Sequence, residues 1–128
     1  MTDSVKSLLE AANGAVPRIS PAEAKAMIDR GEAVVIDVRD SAEVEKSGKV
    51  PGALNISRGM IEFKADPDTP YHEPALQKDK PVILYCASGG RSALAGKTLK
   101  DFGYRNVLNL GGFKDWVEAG MPVERTET

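Results

Sequence analysis

Two short apolar runs constrain the fold of this chain more than any other feature. Residues 33–38 (AVVIDV) and 82–85 (VILY) are almost unbroken stretches of apolar, mostly β-branched or aromatic side chains. Runs of this kind are expected of strands that are buried on both faces of a parallel sheet. The chain is therefore predicted to place at least two strands at the centre of such a sheet.

Helical patterns alternate with these strands. Residues 20–23 (SPAE) form a capping-box pattern with proline at the first helical position, so a helix should begin there and end at Gly31. Asn13-Gly14 is a predicted helix stop, and Ser41 is a predicted helix cap. The predicted helices cover residues 3–12, 21–30, 41–46, 58–64, 92–102 and 113–119, and the predicted strands cover residues 33–38, 53–56, 82–85 and 106–110.

A proline-rich stretch separates the two central strands. Three prolines interrupt any regular period between residues 66 and 80, which predicts a surface loop with a turn of helix near Leu76. This loop is the segment expected to be most mobile. His72, the chain's single histidine, lies within it and is expected to be an ordinary exposed residue.

The order of these elements predicts the architecture. Strands that alternate with helices indicate an α/β fold with a doubly wound, mostly parallel open sheet and helices on both faces. A length of 128 residues suits one domain. We expect residues 1–17 to form an N-terminal helical extension and residues 18–128 to form the domain itself.

Composition narrows the function. With 17 basic and 19 acidic side chains, the chain has no overall charge that favours nucleic acid or an anionic membrane. No stretch is apolar enough to span a bilayer, and the first ten residues lack the pattern of a signal peptide, so a soluble, cytoplasmic protein is expected. A single cysteine can form no internal disulfide, and one cysteine with one histidine makes a metal site unexpected.

The strongest chemical signal is the loop that follows the second apolar run. It consists of Cys86, Ala87, Ser88, Gly89, Gly90, Arg91 and Ser92. The two glycines allow positive φ angles, so successive amides can turn inward and form an anion-binding nest. A helix beginning near Ser92 adds its positive dipole end and free amides, and Arg91 adds a cation. The pattern predicts an anion at the Cys86 sulfur.

An anionic sulfur is a nucleophile. The pKa of a free cysteine lies near 8.5, and values of about 3.5 to 7.5 occur at helix N-termini beside cationic groups. The same nest would also hold the terminal sulfur of a persulfide, which is itself an anion. The alternative is that Cys86 is simply a small buried apolar residue at the end of a strand.

In four motifs the sequence resembles the rhodanese family, over roughly residues 18–123. The motifs are residues 35–39 (VIDVR) with Glu43, residues 50–56 (VPGALNI), residues 86–92 (CASGGRS), and residues 110–113 (LGGF) with Trp116, Gly120, Pro122 and Val123. The resemblance implies a sulfurtransferase in which Cys86 becomes a persulfide, the backbone of residues 87–91 cradles it, and Asp37 and Arg39 support the site. A turn carboxylate or helix cap for Asp37 and a surface ion pair for Arg39 stay open as alternatives.

The resemblance also implies the reaction. A donor such as thiosulfate or a persulfide would load Cys86, and an external acceptor such as cyanide, a thiol or a protein thiol would remove the sulfur without a metal or organic cofactor. Two other functions remain. A cysteine-dependent phosphatase or arsenate reductase is disfavoured because the phosphatase signature has one more residue between cysteine and arginine than the four found here. A non-catalytic binding module is disfavoured because this chain keeps the cysteine.

Overall fold

The computed structural model describes residues 4–125. The helices are α1 (Val5–Ala15), α2 (Pro21–Asp29), α3 (Ser41–Ser47), α4 (Ile61–Ala65), α5 (Gly90–Asp101) and α6 (Phe113–Glu118). The strands are β1 (Val34–Asp37), β2 (Leu54–Asn55), β3 (Val82–Cys86) and β4 (Val107–Gly112). None of the helices within residues 4–125 has both the length and the apolar character needed to cross a membrane.

The strands form one parallel sheet in the order β2-β1-β3-β4. Alternate residues of β1 and β3 face opposite sides, so the sheet separates two apolar clusters. Ile36 and Leu84 lie in the cluster shared with α4 and α5, whereas Val35 and Ile83 lie in the cluster shared with α2 and α6. The predicted α/β fold, with a parallel sheet and helices on both faces, is confirmed.

The apolar core on the second face includes Trp116. Its side chain is fully buried, and its indole Nε1 donates a hydrogen bond to the carbonyl oxygen of Pro122 at 2.7 Å. A buried indole of this kind needs a partner for its N–H, and the chain that follows α6 supplies one. Trp116 is therefore a packed aromatic residue of the core.

Helix α1 extends beyond its predicted end. The stop predicted at Asn13-Gly14 is wrong, since the helix continues to Ala15. Ala12 and Val16 are buried, and a Cβ added at Gly96 of α5 would lie only 3.0 Å from Val16, so α1 packs closely on α5. This packing outweighs the weak helix propensity of glycine. The first residue of the predicted helix, Asp3, lies outside the described residues.

Two helix starts also differ from prediction. Helix α3 is capped by Asp40, one residue before the predicted cap Ser41, and the Asp40 amide donates to Glu43 Oε1 at 3.2 Å. Aspartate caps a helix as well as serine does, and the glutamate completes a capping box. Helix α5 begins at Gly90 and not near Ser92, because Gly89 already adopts the left-handed conformation that precedes the helix.

The loop over residues 66–80 contains turns but no helix or strand. Leu76 anchors it in the core, and the Tyr104 hydroxyl donates to the carbonyl oxygen of Ala65 at 2.9 Å. The expectation that His72 is exposed is wrong: the residue is half-buried, and its Nε2 is buried with no hydrogen-bond partner among residues 4–125. The His72 amide donates to the Thr69 carbonyl oxygen at 3.4 Å, so a turn fixes the backbone at this residue.

Candidate active site

Cys86 is the last residue of β3, a central strand of the sheet. Residues 87–89 connect it to α5, and Ala87 and Ser88 are exposed. Cys86 is only 1% exposed, and its sulfur contacts the Gly89 amide of the loop that follows it. The carboxyl end of a parallel strand is the position at which open α/β sheets bind their ligands.

Polar donors reach the buried sulfur. The Gly89 amide donates to Cys86 Sγ at 3.0 Å, and the Ser92 hydroxyl lies 3.5 Å from the same atom. Burial raises the pKa of the Cys86 thiol, but hydrogen bonds from Ser92 and from the loop amides outweigh this effect and leave the pKa below its ordinary value. The positive end of the α5 dipole acts in the same direction. The arrangement favours a thiolate.

Glycines allow the loop to take this shape. Gly89 has a φ of +106°, which a residue with a Cβ rarely adopts, and this conformation lets its amide turn back toward the sulfur. Gly112, at the end of β4, lies directly beneath the loop, where an added Cβ would be 2.6 Å from the carbonyl oxygen of Ala87. The loop therefore rests on the backbone of the neighbouring strand.

A buried asparagine that the sequence analysis did not single out completes the site. Asn109 and Ser92 are both fully buried. Asn109 Oδ1 accepts hydrogen bonds from the Ser92 hydroxyl at 2.8 Å and the Gly111 amide at 2.9 Å, and Asn109 Nδ2 donates to the Gly89 carbonyl oxygen at 3.2 Å. Asn109 thus ties both residues that contact the sulfur to β4. A polar residue inside an apolar strand was the available signal, since buried amides need partners.

The hydroxyl of Ser92 has one hydrogen for two acceptors. When Cys86 is a thiol, Ser92 donates to Asn109, and its oxygen accepts the S–H of Cys86. When Cys86 is a thiolate, it has no hydrogen to donate. Ser92 can then bond the sulfur only with its hydroxyl hydrogen, which is the hydrogen that also bonds Asn109. Asn109 keeps its bond from Gly111 in either state.

Arg91 lies in the first turn of α5 but does not stand free at the sulfur. Its guanidinium makes two hydrogen bonds with the Glu43 carboxylate, at 2.8 and 3.0 Å. This contact lowers the pKa of Glu43 to about 2. Glu43 also raises the pKa of Arg91, with a smaller contribution from Cys86. The sequence predicted that Arg91 would contact an anion at Cys86. In the structure, Arg91 is instead paired with Glu43 of α3.

Asp37 and Arg39 form an ion pair that is almost completely buried. Arg39 donates to both carboxylate oxygens of Asp37, to Ser47 Oγ at 2.8 Å and to the Gly48 carbonyl oxygen at 2.7 Å, and its guanidinium lies over the Phe113 ring. The pair therefore anchors the C-terminal end of α3. The alternative that Arg39 forms only a surface ion pair is wrong, because both side chains are buried. The Arg39 amide also donates to Asp37, so Asp37 is a turn carboxylate as well.

Comparison with known proteins identifies the family. A family model described as the rhodanese-like domain matches residues 20–119. The chain belongs to the rhodanese-like family.

Several relatives carry functional names. The chain is 33% identical to a sulfurtransferase from Allochromatium vinosum over 79% of this chain and 87% of the relative. It is 34% identical to the thiosulfate sulfurtransferase GlpE of Actinobacillus succinogenes over 86% of this chain and 92% of the relative. A solved structure from Rhodopseudomonas palustris, of unknown function and described as a possible tyrosine phosphatase, is 42% identical with a TM-score of 0.89, covering 97% of this chain and 96% of that one.

Proposed function

We propose that this protein is a sulfurtransferase that carries a sulfane sulfur as a persulfide on Cys86. The observation that supports the proposal most is the set of donors at a buried sulfur: the Gly89 amide at 3.0 Å and the Ser92 hydroxyl at 3.5 Å, at the start of α5. The Gly89 amide is a donor in a fixed position, and such donors stabilise negative charge without reorganising during the reaction. The thiolate and the persulfide both carry such a charge.

The loading step uses thiosulfate or a persulfide as donor. The Cys86 thiolate attacks the outer sulfur of thiosulfate, a new S–S bond forms, and the old S–S bond breaks with sulfite leaving as the dianion. Cys86 is then a persulfide anion. The name of the Actinobacillus relative supports thiosulfate as a donor for this chain.

The unloading step uses an acceptor from outside the chain. Cyanide attacks the terminal sulfur and leaves as thiocyanate, which returns the Cys86 thiolate; a thiol or protein thiol would leave as a persulfide. The chain has a single cysteine, so no second thiol can take the sulfur internally. This makes the transfer a two-step exchange with an external acceptor.

Intact mass spectrometry tests the proposal. After incubation with thiosulfate and removal of the excess, the wild-type protein should gain about 32 Da, and cyanide should remove this mass as thiocyanate. The Cys86→Ser variant should gain nothing and transfer nothing. A wild-type protein that gains no sulfur from thiosulfate or from a persulfide donor would instead be a non-catalytic binding module.

The description of the Rhodopseudomonas structure raises phosphatase activity as a second candidate. Two observations argue against it in this chain. Only four residues separate Cys86 from Arg91, and the Arg91 guanidinium is already paired with Glu43. Turnover of a generic aryl phosphate that disappears in Cys86→Ser would support the phosphatase over the sulfurtransferase.

A further inference from the structure

A second arginine lies at the edge of the Cys86 loop. Residues 17–19 run beside β4: the Asn109 amide donates to the Pro17 carbonyl oxygen at 2.9 Å, and the Ile19 amide donates to the Asn109 carbonyl oxygen at 3.0 Å. Arg18 is the parallel partner of Asn109 in this short ladder. Paired residues of neighbouring strands project to the same side, so Arg18 shares the face from which Asn109 reaches Ser92.

The guanidinium of Arg18 lies against the backbone of the loop. Its Nη1 is 3.3 Å from the position that a Cβ of Gly89 would occupy, and its Cζ is 2.9 Å from the corresponding position at Gly111. Because the Gly89 amide is 3.0 Å from Cys86 Sγ, ordinary covalent geometry places Arg18 Nη1 within about 9 Å of the sulfur.

Within residues 4–125, no carboxylate compensates the charge of Arg18. Three other arginines near this end of the sheet pair with carboxylates: Arg39 with Asp37, Arg58 with Glu62 and Arg91 with Glu43. Arg18 is exposed, and no carboxylate within residues 4–125 forms an ion pair with it. It is therefore a guanidinium that lies against the backbone of the loop, within about 9 Å of the sulfur, with its charge available to a ligand.

We propose that Arg18 recognises the anionic group of the sulfur donor, such as the sulfonate end of thiosulfate. The inference rests on the proposed function and assigns to Arg18 the role that the sequence suggested for Arg91. The donor class is a small anion that places its outer sulfur at Cys86 and its charged group against the guanidinium. An uncharged donor gains nothing from Arg18.

Alkylation of Cys86 tests this recognition without sulfur transfer. Iodoacetate and iodoacetamide are similar in size and differ by one negative charge, and Cys86 is the single cysteine. At low ionic strength, Arg18→Gln should lower the ratio of the iodoacetate rate to the iodoacetamide rate by between about two- and twentyfold, the range for one charge at this distance. The ratio cancels any change that the lost charge makes in the thiolate fraction of Cys86, because both reagents react with the same thiolate. A circular dichroism spectrum equal to that of the wild type shows that the fold is intact.

The chain offers matched controls. Arg105→Gln makes the same charge change at an exposed position before the opposite, amino end of β4 and should leave the ratio unchanged. Arg18→Lys keeps the positive charge, so its ratio of the iodoacetate rate to the iodoacetamide rate should stay close to that of the wild type. An unchanged ratio in Arg18→Gln, or an equal fall in Arg105→Gln, would overturn the inference.

A second arm separates this inference from the proposed function. Thiosulfate carries two negative charges and methanethiosulfonate carries one, so Arg18→Gln should reduce kcat/KM for thiosulfate more than for methanethiosulfonate. If the wild type gains no sulfur while the alkylation ratio falls in Arg18→Gln, the proposed function fails and the anion preference of Arg18 stands. If the wild type gains sulfur and the ratio does not change, the function stands and the role of Arg18 fails.

Discussion

Replacing Ser92 by alanine removes one of the groups that hold the Cys86 sulfur. The Ser92 hydroxyl lies 3.5 Å from Sγ and also bonds Asn109 Oδ1 at 2.8 Å. Because its single hydrogen is shared between the two, we assign it about 1 kcal/mol of stabilisation for the thiolate, less than the about 1.5–3 kcal/mol of a hydrogen bond given wholly to a charged group. Since about 1.4 kcal/mol is a factor of ten, the thiolate fraction below the titration midpoint should fall about fivefold.

The observed rate should change less than the thiolate fraction. A thiolate with a higher pKa is a stronger nucleophile, and the usual Brønsted dependence makes each remaining thiolate about twofold more reactive. The iodoacetamide rate of Ser92→Ala should therefore fall about two- to threefold at low pH and rise about twofold at the high-pH plateau. The midpoint of the pH–rate profile should move to higher pH.

The assay is the pH dependence of Cys86 alkylation, followed by intact mass. Ser41→Ala is the matched control, because Ser41 is an exposed serine in the first turn of α3 and has no hydrogen bond to the Cys86 loop among the described residues. Asn109 keeps its hydrogen bond from Gly111 in Ser92→Ala, so the fold should lose only about 1 kcal/mol. A midpoint that stays in place or moves to lower pH would refute the role of the hydroxyl.

Two further predictions concern the groups around the loop. Asp37→Asn leaves the Arg39 guanidinium buried without its counter-charge and should cost about 3–5 kcal/mol in urea unfolding followed by circular dichroism; a loss below about 1 kcal/mol would contradict the buried pair. The Glu43 pKa is lowered to about 2 by Arg91, so the stabilisation is present above the ordinary carboxyl pKa and is lost as the pH falls toward 2. Both the Glu43 and the Arg91 side chains are more than a third exposed, so the effect is small. Between pH 5 and pH 2.5, the unfolding free energy of the wild type should fall by about 1 kcal/mol or less beyond the fall seen in Glu43→Gln. An equal fall in both proteins would exclude a contribution from the Glu43–Arg91 pair.

Local features of the chain could be predicted from its sequence. The apolar runs 33–38 and 82–85 contain β1 and β3, and the capping box at residues 20–23 begins α2 where expected. The contact of the Gly89 amide with Cys86 is also local, since the two residues are three positions apart. Patterns of this kind follow from backbone geometry and periodicity, which short segments encode directly.

Contacts between distant segments could not be predicted in the same way. Glu43 is 48 positions from Arg91, and Ser92 is 17 positions from Asn109, so each pairing depends on how α3 and β4 pack beside α5. The end of α1 was mispredicted for the same reason, because packing on α5 carries the helix through Gly14. A single sequence shows which residues are polar but not which distant partner each one meets.

Titration of the Cys86 thiolate by its ultraviolet absorbance tests most directly whether the loop makes this sulfur an anion. The chain has one cysteine, so the difference between the wild type and Cys86→Ser reports this residue alone. Hydrogen bonds from the loop predict a midpoint below the value that free cysteine shows under the same conditions. A midpoint at or above that value would show that burial outweighs the loop donors and that the sulfur is a neutral thiol.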